Sequence, residues 1–209
     1  MEASEKALKQ LLKKRLHAKR YEHSVLVMDT ARKLAALHGA DVQSAMRAGL
    51  LHDYAKNMSP EALRLAAQEL SVDLDPVVSR HMMLAHGPVG AALIARDLGI
   101  ADADILNAVR YHTYGRVGMS RLEKIIYLAD FIEPGRKFKG IEELRRTAQT
   151  DLDKAVLMAM ESAIGYLLGT DRLMHPNTLL ARNELILELN SRRHHGINTG
   201  TGSQAGPAS

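Results

Sequence analysis

The 209-residue chain has no cysteine, no tryptophan and only two phenylalanines. Without cysteine, disulfides, thiolate catalysis, zinc fingers and iron–sulfur clusters are excluded together. No uninterrupted apolar run reaches the length of a membrane span. The opening Met1-Glu2-Ala3-Ser4-Glu5-Lys6 lacks the apolar stretch of a secretion signal, so the expected compartment is the cytoplasm. Strand signals are missing too: no sustained two-residue alternation sits between turns. The composition is otherwise globular, 46% apolar and 25% charged, too apolar for a disordered chain.

What the chain does have is histidine, ten in all, and an uneven charge. The net charge is +4, yet residues 1–20 hold seven basic side chains against two acidic ones, leaving −1 for the remainder. A nucleic-acid binder usually spreads its basic face over the fold. An excess confined to one helix-sized segment argues against nucleic acid as a partner.

The pattern reads as helix after helix, an all-α fold of nine or ten helices with short connections. Leu8, Leu11, Leu12 and Leu16 stripe a basic first helix that packs on the domain. A second runs through Val25 and Leu34 to a glycine stop at Gly39. Asp41, Ser59-Pro60, Asp75-Pro76 and Ser120 read as helix starts, as does Asp102 or Asp104. Others open at Gly87-Pro88 and span about 150–169 and 177–193, and Glu133-Pro134-Gly135 forces a turn. Residues 21–195 form the main domain, and the Gly/Ser/Thr/Ala-rich 196–209 is expected to be a disordered tail.

His52-Asp53 is an unremarkable dipeptide by itself. Its interest lies in other ligand-type residues placed on apolar faces. His23 shares a stripe with Leu26, Val27 and Thr30, and His112 follows Ile105, Ala108 and Val109. Asp130 lines up with Ile126 and Tyr127, where a carboxylate costs several kcal/mol unless a cation or partner satisfies it. His86 stands at the start of a helix. Each can be explained more plainly. A lone histidine on such a face is commonly a hydrogen-bonded core residue, and Asp130 can be the partner of Arg110 or Arg121. Taken together, imidazoles and carboxylates without thiolates suit two divalent ions, with iron, manganese, nickel, cobalt or zinc as candidates.

The local strings resemble a known family. The order His23, His52-Asp53, His86, His112, Asp130 is that of the HD-domain metal-dependent phosphohydrolases. The strings Leu51-His52-Asp53-Tyr54-Ala55-Lys56, His86-Gly87-Pro88-Val89-Gly90-Ala91, Tyr111-His112-Thr113 and Ala129-Asp130-Phe131-Ile132-Glu133-Pro134-Gly135-Arg136 resemble its bacterial YqeK-type branch, from about Tyr21 to Asn183. The resemblance implies an HD-domain helical bundle and symmetrical hydrolysis of diadenosine tetraphosphate to two ADP at a two-iron centre. It further implies His23, His52, Asp53, His86, His112 and Asp130 as the metal shell, with Asp53 bridging. Asp53, His52 and Lys56 would be catalytic. Arg20, Lys56, Thr113, Arg136 and the turn from Leu173 to Thr178, His175 included, would meet the substrate alongside His86, His112 and Asp130.

On that basis a hydroxide bridging the metals is expected to attack a central phosphorus in line, with Lys56 and Arg136 offsetting phosphate charge. No Gly-x4-Gly-Lys-Ser/Thr loop is present to cradle phosphates. Two other readings stay open: the same site acting on a mononucleotide or dNTP, and a non-catalytic module that binds a nucleotide or ribosomal partner through the basic first helix. The partners expected are the dinucleoside polyphosphate and its ADP product, with no membrane; a second copy of the chain stays open.

Overall fold

The computed structural model describes residues 4–170 and 172–198. Among these the chain forms eleven α-helices, one short 3₁₀ turn (Met82–Ala85) and no strand. The helices are α1 (Glu5–Arg15), α2 (Ala18–His38), α3 (Val42–Leu51), α4 (Pro60–Glu69), α5 (Pro76–Arg80), α6 (His86–Leu98), α7 (Ala103–Tyr111), α8 (Arg121–Ile132), α9 (Ile141–Thr147), α10 (Leu152–Leu168) and α11 (Pro176–Asn198). None is long and apolar enough to cross a membrane.

Helix starts follow side-chain chemistry. Ser4, Asp41, Ser59, Asp75, Asp102, Ser120 and Asp151 each turn a side-chain oxygen onto first-turn N–H groups that have no intrahelical partner. Ser120 and Glu123 complete a reciprocal capping box. Gly39 and Gly99 end α2 and α6 in the left-handed conformation, both at φ 65°.

The count exceeds the expected nine or ten because of α9, which the sequence pattern did not reveal. Its only apolar residues are Ile141 and Leu144, amid four charged ones, too few to print a helical period. At the other end, α11 continues through Asn198, so residues 196–198, assigned to the tail, are helical. Residues 199–209 lie outside the described ones.

Two apolar clusters hold the bundle. One gathers around Ile125, Ile126 and Leu128 of α8 with α10 and α11. The other joins α1 and α4 to α6 through Leu12, Leu63 and Ile94. Helices α2, α3 and α7 belong to both: Ala31, Ala48 and Ala108 face the first, and Met28, Leu50 and Val109 the second. Arg15 of α1 is no free surface cation, since it lies 3.9 Å over the Tyr54 ring and donates to the Tyr54 carbonyl.

Two glycines let helices approach closely. A Cβ on Gly49 would sit 3.0 Å from the Met28 Cα, and one on Gly87 only 2.6 Å from the Arg110 carbonyl oxygen. Backbone cannot yield as a side-chain tip does. Gly87→Ala should therefore cost about 1–3 kcal/mol by overpacking. Gly165→Ala, within α10 where a Cβ meets nothing within 4 Å, should instead stabilise by about 0.5–1 kcal/mol. Denaturant unfolding of the two variants checks the opposite signs.

Candidate metal centre

Helix ends carry the site. His52 directly follows α3, with Asp53 next to it, and His112 directly follows α7. Asp130 lies in the last turn of α8, His86 is the first residue of α6, and His23 sits in the second turn of α2. Six ligand-type side chains from five segments thus meet in one place.

Each imidazole is held from behind through Nδ1. That atom of His52 faces the Gly49 carbonyl at 2.8 Å, and that of His112 the Val109 carbonyl at 2.7 Å. His86 Nδ1 makes the same bond to the Met83 carbonyl. His23 Nδ1 faces Glu133 Oε1 at 3.2 Å. Carbonyl and carboxylate oxygens only accept, so Nδ1 carries the proton in all four rings. Every Nε2 lone pair is then left pointing inward.

Those inward atoms converge. His86 and His112 Nε2 lie 3.1 Å apart, two lone pairs with no proton to share. His23 and His52 Nε2 are buried and have no hydrogen-bond partner. The donor atoms of His23, His52 and Asp130 all fall within 4.8 Å of one another, as do those of His52, Asp53 and His112. Neighbouring rings stand edge to face, 5.2 Å between His23 and His52 and 5.0 Å between His52 and His112. A cluster of buried acceptors without donors is unfavourable unless a cation sits among them. Four neutral imidazoles and two carboxylates are a donor set that fits divalent transition metals.

Asp53, 2% exposed, spans the cluster. Its Oδ2 is 3.3 Å from His52 Nε2, while its Oδ1 is 3.3 Å from His86 Nε2 and 3.7 Å from His112 Nε2. Burial alone would raise its pKa. The adjoining His52, with the His112 and His86 rings beside it, holds it well below the usual carboxylate range instead. Asp130 is likewise lowered: burial opposes this, but the neighbouring His23, His52 and Arg136 prevail. Burial pushes the His86 imidazole down to about 4, against the opposing pull of the Asp53 carboxylate. Its ring is neutral and its lone pair free at ordinary pH.

Three cations rim the cluster. Arg20 donates to Asp53 Oδ2 at 2.8 Å, Arg136 to Asp130, and Lys56 Nζ approaches His86 Nε2 at 3.2 Å. Thr113 Oγ1 lies 3.3 Å from His112 Nε2. The partner of Asp130 is therefore Arg136. Arg121 instead donates to the Gly39 carbonyl, and Arg110 makes no ion pair among the described residues.

His175 stands apart from the cluster. It stacks on Tyr114 with ring centroids 4.0 Å apart. Its Nε2 donates to Asp75 Oδ2 at 2.9 Å, and its Nδ1 accepts from the Asn177 N–H at 3.1 Å. Both nitrogens are hydrogen-bonded, and the ring holds the 173–178 turn and the Tyr114 ring in place.

Two functional residues escaped the sequence reading. Glu133, taken there as part of a turn, is buried and orients His23. Its other oxygen accepts from the Gly135 N–H, where a Cβ would sit 2.9 Å from Oε2. Arg145 of α9 clasps the same turn, donating to the carbonyls of Ile132 (3.0 Å), Glu133 (2.8 Å) and Arg136 (3.2 Å). The lone glutamate between the apolar Phe131-Ile132 and the turn was a usable signal for Glu133. Nothing local marked Arg145.

The HD domain family matches residues 20–135, more than half of the chain. The symmetrical bis(5'-nucleosyl)-tetraphosphatase of Halalkalibacterium halodurans is 44% identical over 86% of this chain and 95% of its own length. The enzyme of the same name from Bacillus subtilis is 41% identical over 84% of this chain and 94% of its length. A crystal structure from Clostridium acetobutylicum, described as a "predicted HD superfamily hydrolase involved in NAD metabolism", superposes with a TM-score of 0.86 at 42% identity, covering 90% of this chain and all of that one. Divalent-metal binding accompanies the HD domain, and the converging lone pairs fit it. The chain belongs to the HD-domain hydrolase family, in the YqeK-type branch with these symmetrical tetraphosphatases.

Proposed function

We propose that this protein hydrolyses diadenosine tetraphosphate symmetrically to two ADP, in the cytoplasm, with a pair of divalent ions that is iron in its native form. The observation that carries the metal dependence is the set of four imidazoles whose Nδ1 protons are tied back while their Nε2 atoms meet around Asp53. The substrate and its symmetrical cleavage are supported by the names of relatives aligned over nearly their whole length.

His23, His52, Asp53, His86, His112 and Asp130 would hold the ions, Asp53 lying between the histidines of the set. Such a pair supplies Lewis acidity, offsetting phosphate charge and making water a stronger acid. The protein's own groups do the rest. Gly49, Met83 and Val109 carbonyls and Glu133 keep the protons at Nδ1, so each ring presents a lone pair and not an N–H. Arg20, Lys56 and Arg136 meet a tetraphosphate with four or so negative charges; the arginine forks suit non-bridging phosphate oxygens. Thr113 offers a hydroxyl beside His112. With neither a nucleophilic side chain nor a glycine-rich phosphate loop in use, catalysis is positioning and electrostatics.

Product chromatography is the direct test. Protein reconstituted with iron or manganese should convert diadenosine tetraphosphate to ADP alone. AMP plus ATP, or cleavage confined to mononucleotides, would overturn the specificity. Asp53→Ala should keep its helix content, bind less metal and lose activity by on the order of a thousandfold or more, because one carboxylate serves both ions.

The turn behind His23 gives a graded expectation. Glu133→Gln and Arg145→Lys, which loosen the support of a ligand without removing it, should each lower metal affinity or activity by about 10–100-fold. Metal titration alongside rate measurement checks this, and unchanged values for both variants would remove the turn from the account.

A further inference from the structure

A second cavity, of about 500 Å³, lies between α6, α7, the segment after α4 and the start of α11. That volume is within the range of small-molecule sites. None of the six ligand-type residues lines it. Its walls nevertheless adjoin them along the chain: Pro88 is two residues beyond His86, and Tyr111 immediately precedes His112. Two residues span at most about 7 Å.

The wall chemistry is specific. Arg110 lines the cavity, makes no ion pair among the described residues, and its Nε is buried without a hydrogen-bond partner. A guanidinium left in this state is short of an acceptor. Tyr111 and Tyr114 line the same space with rings 6.2 Å apart and nearly perpendicular. Tyr114 is fixed there: His175 stacks on it, and Thr178 Oγ1 donates to its carbonyl at 2.9 Å. Two carboxylates, the exposed Asp73 and Asp75, which is bonded to His175, line the same space. Two carboxylates against a single cation disfavour a polyphosphate and suit a neutral ligand that has an aromatic face, acceptors for Arg110 and a donor for Asp73. A purine nucleoside has all three.

We infer that this cavity binds the nucleoside at the far end of the dinucleoside substrate, with Arg110 and Tyr111 as specificity-determining residues. The inference rests on the proposed function, because a substrate with a nucleoside at each end needs a place for the second one. It also gives His175 a purpose, as the support of Tyr114.

Adenosine 5'-tetraphosphate has the same four phosphates and a single nucleoside, so it separates this site from the metal centre. Arg110→Gln should raise the KM for diadenosine tetraphosphate about tenfold relative to the inhibition constant of adenosine 5'-tetraphosphate, with kcat little changed. Tyr111→Leu should do the same, and circular dichroism establishes that both variants are folded. Should the two constants rise together, or neither move, the assignment is overturned. Adenosine alone, titrated into metal-free protein by saturation-transfer NMR, provides a readout independent of hydrolysis. Binding to the wild type that weakens in both variants supports the cavity even if the tetraphosphate is not cleaved, an outcome that would sink only the proposed reaction. Adenosine binding that both variants retain in full, or no binding at all, overturns the cavity as a nucleoside site.

Discussion

The structure turns on a constraint of proton accounting. Each of four imidazoles has one nitrogen protonated and tied to an oxygen behind it, so the opposite nitrogen can only accept. These acceptors and two carboxylates are crowded into a volume where some distances are near 3 Å. Without a cation that crowding is unfavourable. Lys56, Arg20 and Arg136 at the rim offset part of it. Fold stability and metal affinity are therefore linked through the same groups, since whatever binds the native cluster also stabilises it.

The bundle keeps those groups in place by economical means. Helices α2, α3 and α7 each serve both apolar clusters, so no ligand on them can shift without disturbing packing on two sides. Gly49 and Gly87 set how near α3 comes to α2 and α6 to α7, with His52 three residues after the first and His86 immediately before the second. On the remaining side, Arg145 gathers three carbonyls of the turn that bears Glu133 and Arg136. A residue outside the ligand set thereby governs the positions of two that touch it.

Much of this was legible in the sequence because the signals were local. Asp41, Ser59 and Ser120 cap helices for reasons contained within three or four residues, and polar groups on apolar helical faces pointed to His23, His112 and Asp130. What could not be read depended on distant pairing. The clasp of Arg145 joins α9 to the end of α8. The bond of His175 to Asp75 spans a hundred residues and ties the 173–178 turn to the start of α5. Arg110, a candidate partner for Asp130, faces a different space altogether. α9 was missed because its few apolar residues pack individually and leave no period.

The way the helices terminate has an electrical consequence. α3, α7 and α8 all bring their carboxyl-terminal ends to the cluster, and each such end carries about half an elementary negative charge. α6, with His86 as its first residue, and α2, with Arg20 in its first turn and His23 in its second, present amino-terminal ends of the opposite sign. Backbone dipoles thus make the pocket a well for positive ions from three directions. From the amino-terminal ends comes positive potential on which an anionic oxygen can settle.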